Sequence, residues 1–186
     1  MPKQAGETTS IVRWRQWQSP GIEHLVLRQS ADGILATSVA VSADAEPFAV
    51  RYRIECGPDW LAREVEVDLV GGTSVRLTTD GSGNWLKDGV PVAELEGARY
   101  PDLTVTPFTN TLPIQRLQLK RGESAEIAAA FIELPELSIV RSRQRYTCLD
   151  EGGRYLYESL VSGFRREIEV DGQGLVVTYP DFWRRI

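Results

Sequence analysis

The sequence predicts a mainly β protein: one strongly curved antiparallel sheet or partly closed β-barrel, with one or two short helices. Two observations carry this. Glycine-centred turn signals run along the whole chain, among them Ala31-Asp32-Gly33, Gly57-Pro58-Asp59, Val70-Gly71-Gly72, Asp80-Gly81-Ser82-Gly83-Asn84, Asp88-Gly89, Arg121-Gly122, Glu151-Gly152-Gly153 and Asp171-Gly172-Gln173-Gly174. Glycine supplies positive φ at such places without a Cβ clash. Between the signals, apolar and polar side chains alternate with period two, the mark of strands that bury one face.

The clearest alternation is Val50–Cys56, where Val50, Tyr52, Ile54 and Cys56 share one face and Arg51, Arg53 and Glu55 the other. Glu64–Leu69 repeats it, with Glu64, Glu66 and Asp68 on the polar face. If these two strands pair across the Gly57–Trp60 loop, Arg51 and Arg53 face that acidic row, and each such cross-strand pair contributes ~0.2–1 kcal/mol. Further strands are expected at Ile11–Trp17, Glu23–Arg28, Gly33–Ser42, Val75–Thr79, Asn84–Lys87, Val90–Leu95, Arg116–Lys120, Ala125–Leu134, Leu137–Thr147, Arg154–Leu160, Phe164–Val170 and Leu175–Tyr179. Ala125–Leu134 is rich in alanine, a helix former, but Pro135 and the surrounding strands favour a strand. Short helices are expected near Phe108–Ile114 and at Pro180–Arg185.

At 186 residues the chain is read as one domain over 1–186, with residues 1–10 a flexible N-terminus. That length buries a core without disulfides or metal. The balance of 21 basic against 26 acidic side chains, net −5, argues against broad phosphate-backbone binding and hence against nucleic acid as a partner. Cys56 and Cys148 are too few and too far apart for a disulfide framework, so both are expected as reduced, buried thiols. Residues Met1–Glu7 show no apolar run after Lys3, so no secretory signal is expected. No stretch reaches the ~18 apolar residues of a membrane helix. A cytoplasmic location is the expectation.

The chemistry-bearing residues are sparse. One histidine, His24, sits on an alternating strand, and no Gly-x-Ser-x-Gly elbow exists. One His and two isolated Cys write no zinc spacing, and no calcium loop or dinucleotide fingerprint is present, so no metal or cofactor is expected. Glu23, Glu64, Glu66, Asp102 and Asp171 remain as carboxylates that a fold would have to bring together. The aromatic residues are more suggestive: Trp14, Trp17, Trp60, Trp85 and Trp183, several beside Arg, as in Arg13-Trp14-Arg15 and Trp183-Arg184-Arg185. Trp and Arg lining a concave sheet suit an amphipathic ligand; the same residues equally serve a core of large aromatics with Arg stems packed over it.

Four motifs go further: Thr106-Pro107-Phe108-Thr109-Asn110-Thr111-Leu112-Pro113-Ile114-Gln115-Arg116-Leu117, Trp60-Leu61-Ala62-Arg63, Gly83-Asn84-Trp85 followed by Asp88-Gly89, and Gly174-Leu175-Val176-Val177-Thr178-Tyr179-Pro180. With them the chain resembles the bacterial putative glycolipid-binding family, from about Trp14 to Arg185. The resemblance implies a fold similar to the half-barrel of lipoprotein-localisation factors, and a carrier or binder of a glycolipid or acyl compound on the concave face. Gln115 stands where many members have Arg, and Gly97–Leu103 replaces a run that often holds a Cys and an extra Asp; if that Arg contacts a ligand head group in the family, this chain lacks the contact. The candidate ligand-contacting residues are Trp14, Trp60, Arg63, Trp85, Phe108, Thr109, Asn110, Arg116, Tyr146 and Tyr179. Physically, Pro107 and Pro113 restrict the chain, Thr109, Asn110 and Thr111 supply side-chain bonds to the local backbone, and Phe108, Leu112 and Ile114 would pin the segment to the sheet. Two other readings stay open: an enzyme acting on a lipid or sugar through Glu23, Glu64 or Asp171 with Arg63 or Arg116, and a homodimeric interaction module using a sheet edge or apolar patch.

Overall fold

The computed structural model describes residues 6–44 and 46–186. Among these, fifteen strands join in one sheet. From the middle of that sheet β1 (Thr8–Gln16) leads an antiparallel meander through β2 (Ile22–Ser30), β3 (Gly33–Ser42), β4 (Phe48–Cys56), β5 (Ala62–Leu69), β6 (Ser74–Thr79) and β7 (Trp85–Lys87) to an edge at β8 (Val90–Pro91). The chain then crosses to the opposite edge, β9 (Tyr100–Leu103), and passes through the helix α1 (Thr111–Leu117). A second antiparallel meander returns through β10 (Ser124–Glu133), β11 (Ser138–Asp150), β12 (Arg154–Ser159), β13 (Arg165–Val170), β14 (Val176–Tyr179) and β15 (Trp183–Arg185), and β15 pairs with β1. The β9–β10 pair is parallel, which makes the sheet mixed.

This topology forces the sheet to curl. At ~4.8 Å between neighbouring strands, a flat sheet of this many strands would separate its edges by about 67 Å. The link from Pro91 to Tyr100 spans at most about 30 Å even when fully extended. The edges are therefore drawn together, although β8 and β9 do not pair and the barrel stays open. Hydrogen bonds stitch the gap. Gly97 N–H donates to the Gly83 carbonyl at 3.1 Å and Arg99 N–H to that of Ala128 at 2.9 Å. The indole of Trp85 donates to the Ala98 carbonyl at 2.7 Å.

The alternating phase decides what fills the concave side. Trp14, Leu25, Leu27, Tyr52, Ile54 and Leu77 point inward and are removed from water. Phe108 and Leu112, from the segment before β10, pack into the same core. A smaller core of Ile114, Tyr146, Cys148, Tyr155, Ile168 and Val176 fills one end of the second meander. Both cysteines are buried and unpaired, and burial pushes the Cys56 thiol up to about 12.

The expected β4–β5 pairing is present in register, with Arg51 opposite Asp68 and Arg53 opposite Glu66. Arg51 reaches Asp68 at 2.8 Å, while Arg53 turns to Glu55 and, at 3.4 Å, to Glu64. Several expectations fail locally. Arg116–Lys120 is the end of α1 and its αL cap at Gln118 rather than a strand. Val90–Leu95 holds only a two-residue strand before a 3-10 turn at Ala93–Leu95. Pro180–Arg185 is a tight turn followed by β15, because Gln16 and Trp14 of β1 supply a pairing partner that outweighs local helix preference. Tyr100–Leu103 was not expected as a strand, since Pro101 interrupts its pattern. The N-terminal expectation falls in part on residues 1–5, outside the described residues; β1 begins at Thr8. Among the described residues, no helix is long and apolar enough to cross a membrane.

Candidate functional site

The inner face of the second meander is filled at one end only. In antiparallel pairs, directly opposed residues point to the same side. Here Ala129 faces Ser142, Phe131 faces Val140, Gln144 faces Ser159 and Tyr146 faces Tyr157. Where these side chains are large they close the core. Where they are Ser142 and Ser159, space remains. The result is a cleft of about 630 Å3.

Aromatic residues wall it: Phe131, Tyr157, Phe164, Tyr179, Phe182 and Trp183. Tyr157 meets Tyr146 edge-on at 5.4 Å between ring centres, Phe164 meets Phe182 at 5.5 Å, and Tyr179 meets Phe182 at 5.1 Å. Arg166 lies over the Phe164 ring at 5.0 Å and bonds Asp181 at 3.2 Å. These rings interlock, so the wall is preformed.

The opposite wall comes from β9 and the turn before α1. Thr106 holds the turn by accepting the Phe108 N–H at 3.0 Å, and Asn110 donates to the Pro107 carbonyl at 3.1 Å. Pro113 falls in the first helical turn, where its missing N–H costs nothing. Asn110 Oδ1 in turn accepts the Tyr146 hydroxyl at 2.9 Å, tying the helix start to β11. Asp102 accepts from Thr109 Oγ1 at 3.0 Å and from Gln144 Nε2 at 2.6 Å. Burial raises the Asp102 carboxyl above the usual carboxylate range, with those two bonds opposing the shift. Burial, and then the Asp102 charge, raises the phenols of Tyr157 and Tyr179.

Behind the cleft lies a second polar cluster. Glu23 is fully buried, and its Oε1 accepts from Tyr52 at 2.6 Å, Ser38 at 2.8 Å and Thr106 at 2.9 Å. Its Oε2 has no partner among the described residues. Burial pushes this carboxyl up to about 7, against the three hydrogen bonds that favour its charged form. Thr106 belongs to both features: it lines the cleft and bonds Glu23.

A larger hollow, about 770 Å3, lies among strand faces that carry Arg51, Arg53, Glu66, Asp68, Arg76 and His24. Its charges are largely spent on one another: Arg51 pairs with Asp68, and Arg76 pairs with Glu64 at 2.6 Å. The aromatic cleft is therefore the better candidate site, since apolar walls with a few polar groups are what small-molecule sites have.

Residues 11–185 match the family described as "Putative glycolipid-binding". The chain belongs to this family. A crystal structure of a DUF1089 family protein from Pseudomonas aeruginosa is similar, with 38% sequence identity, a TM-score of 0.80, and coverage of 93% of this chain and 95% of that one. No protein of curated function matches.

Within this member of the family, the ten candidate ligand-contacting residues separate into three groups. Asn110 and Tyr179 line the cleft, and Thr109 and Tyr146 stand directly behind it, bonded to Asp102 and Asn110. Trp14, Trp85 and Phe108 are core residues: Trp14 donates its indole hydrogen to the Val176 carbonyl at 2.7 Å, and none of the three is more than 2% exposed. Trp60, Arg63 and Arg116 gather around the β4–β5 loop, where Arg116 lies 3.8 Å from Asp59 and Arg63 lines a shallow polar groove with Asp59, Asp80 and Arg99. Trp60 itself takes a positive φ of 65° and packs on the main core. The five candidate carboxylates do not converge. Glu64 and Glu66 lie on the polar face with Arg76, Asp171 bonds Arg185 at 2.6 Å, and Glu23 and Asp102 sit in separate hydrogen-bonded clusters.

Sequence reasoning did not single out Phe131, Tyr157, Phe164 or Phe182 as site residues. Their signal was weak because aromatic residues in phase with a buried face read as core. Glu23 did carry a signal: it shares parity with Leu25 and Leu27, so an acid stands in the apolar row of β2.

Proposed function

We propose that this protein binds a small amphipathic molecule of the glycolipid or acyl class in the cleft between β9, the turn before α1 and the β10–β15 wall, and serves as its carrier or sensor. The observation that supports this most is the cleft itself: about 630 Å3, walled by interlocked aromatic rings and floored by Asp102 and Asn110. That volume lies in the ~300–1,000 Å3 range of small-molecule sites. Family membership points to the same ligand class.

Native mass spectrometry of protein purified from cells without detergent is the first test, with a co-purifying amphiphile as the expected result. Ser142→Trp provides the control, because Ser142 lines the cleft from β11 and is itself a member of neither core. The variant should keep its melting temperature and lose the bound species. A ligand retained by a folded Ser142→Trp protein would place binding elsewhere and defeat the proposal.

A further inference from the structure

The base of the cleft holds buried polar groups beside Leu103 and Trp183, and its lip holds large apolar side chains beside the exposed Arg141 and Ser162. Asn110 and Thr106, at the base, are 5% and 4% exposed. Val140, Val161 and Phe182, at the lip, are 52%, 72% and 42% exposed. A hydrocarbon tail drawn inward would cover Asn110 and Thr106, and burying polar groups under hydrocarbon strips their water and returns nothing.

The base also has bonding capacity to spare. Asp102 accepts one bond on each oxygen and each oxygen can accept another. Asn110 keeps one N–H and one acceptor site beyond its bonds to Pro107 and Tyr146. Among the described residues, no hydrogen bond engages the Tyr157 or Tyr179 hydroxyl, and both feel the Asp102 charge. Acceptors, donors and flat ring faces are thus collected at one place.

We infer that the cleft takes the uncharged, hydroxyl-bearing head of a single-chain amphiphile inward onto Asp102, Asn110, Tyr157 and Tyr179, and lets its alkyl chain leave across Val140, Val161 and Phe182. Hydroxyl groups both donate and accept, so they answer a carboxylate, an amide and two phenols together. An anionic head does not. Asp102 repels it, and the cations near the cleft are not at the base: Arg166 is held by Asp181, and Arg141 is exposed. The opposite orientation, tail inward with an anion on Arg141, buries Asp102 and Asn110 under hydrocarbon. The inference rests on the amphiphile reading above and adds the head-group class and the direction of entry.

Calorimetry with decyl β-glucoside, decanoate and decyl phosphate, all below micelle-forming concentrations, tests the head group. The glucoside should bind at least about tenfold more tightly than either anion, because the anions leave the floor groups unanswered. A decyl glucoside carrying a dansyl group at the far end of its chain tests the direction. It should bind within about threefold of the parent, since the chain end lies outside the lip. Tyr179→Phe removes one hydroxyl and keeps the ring, so it should weaken the glucoside by about three- to tenfold and leave the melting temperature unchanged. Anions binding as well as the glucoside, a dansyl tip that abolishes binding, or indifference to Tyr179→Phe would each overturn the head-inward inference while the amphiphile reading stands. Binding of none of the three decyl compounds would overturn both.

Discussion

The Tyr52 hydroxyl donates to Glu23 Oε1 at 2.6 Å, and both side chains are sealed from solvent on the inner face of β2 and β4. A carboxyl in that position holds its proton to about pH 7, whereas its ordinary value is 4.5. Between those two values the folded chain binds a proton that the unfolded chain releases. Stability is therefore fully present below about pH 4.5 and falls as pH rises through about 7. At ~1.4 kcal/mol per pH unit the loss is roughly 3 kcal/mol across the window. Glu23→Gln keeps the acceptor for Tyr52, Ser38 and Thr106 and cannot ionise. Thermal unfolding from pH 5 to pH 8 should show the wild-type protein losing ground steadily to Glu23→Gln. A difference in melting temperature that stays flat across that range would refute the buried-acid account.

Tyr52→Phe tests the partner. Hydrogen bonds to a charged group are worth roughly 1.5–3 kcal/mol and those between neutral groups roughly 0.5–1.5 kcal/mol. At pH 5 the Glu23 carboxyl is neutral and the substitution should cost the smaller amount. At pH 8 it is ionised, and the cost should rise toward the larger. Placed in the Glu23→Gln background, Tyr52→Phe should lose that pH dependence, as a double-mutant cycle in urea can read. Equal costs at both pH values in the wild-type background would show that the phenol does not stabilise the ionised carboxylate.

Gly83 and Gly97 illustrate a backbone approach rather than a side-chain contact. Gly83 has φ of +103°, and a Cβ there would come within 2.6 Å of the Gly97 Cα. The Gly97 N–H bond to Gly83 also helps draw the two sheet edges together. Gly83→Ala should therefore cost more than about 2 kcal/mol, since the conformation is incompatible and the neighbour is backbone. Gly122 has φ of +84° with open space around it, so Gly122→Ala should cost only about 1 kcal/mol. Equal midpoints of urea unfolding for the two variants would argue that the edge-to-edge stitch contributes nothing.

The sheet was legible because period-two alternation and turn glycines are local signals. Val50–Cys56 and Glu64–Leu69 even disclosed their pairing, since opposite charges stand across from each other. The crossing from β8 to β9, the parallel β9–β10 pair and the return of β15 onto β1 were not legible: each depends on contacts between residues far apart in sequence, and Tyr100–Leu103 and Trp183–Arg185 are too short to show a period. The site was only partly readable for the same reason. Asn110 and Tyr179 could be named from motifs, but the cleft exists because small Ser142 and Ser159 lie among aromatic neighbours, and that juxtaposition is created by register. Trp14 illustrates the converse: its sequence neighbours Arg13 and Arg15 fall on the other face of the strand, and the indole goes to the core.

Helix α1 offers the last test, because its two ends have opposite surroundings: Thr111–Ile114 are buried and the last turn reaches solvent. Leu112 is fully buried against the main core beside Phe108, whereas Arg116 is exposed and sits 3.8 Å from Asp59. Truncating a buried leucine removes its transfer energy and leaves a cavity, so Leu112→Ala should cost about 2–5 kcal/mol. An exposed ion pair is worth at most about 1 kcal/mol, so Arg116→Ala should stay within roughly that limit. Asn110 immediately precedes the helix and forms part of the cleft floor, so loosening Leu112 should also disturb the Asn110–Tyr146 bond. Denaturant unfolding measures the first effect, and the near-ultraviolet signal of Tyr146 and its aromatic neighbours reads the second. If Leu112→Ala is destabilised while that signal is untouched, the floor is held by the Thr106–Pro107 turn alone; if Arg116→Ala costs as much as Leu112→Ala, the helix is anchored through its exposed last turn and the packing account of α1 fails.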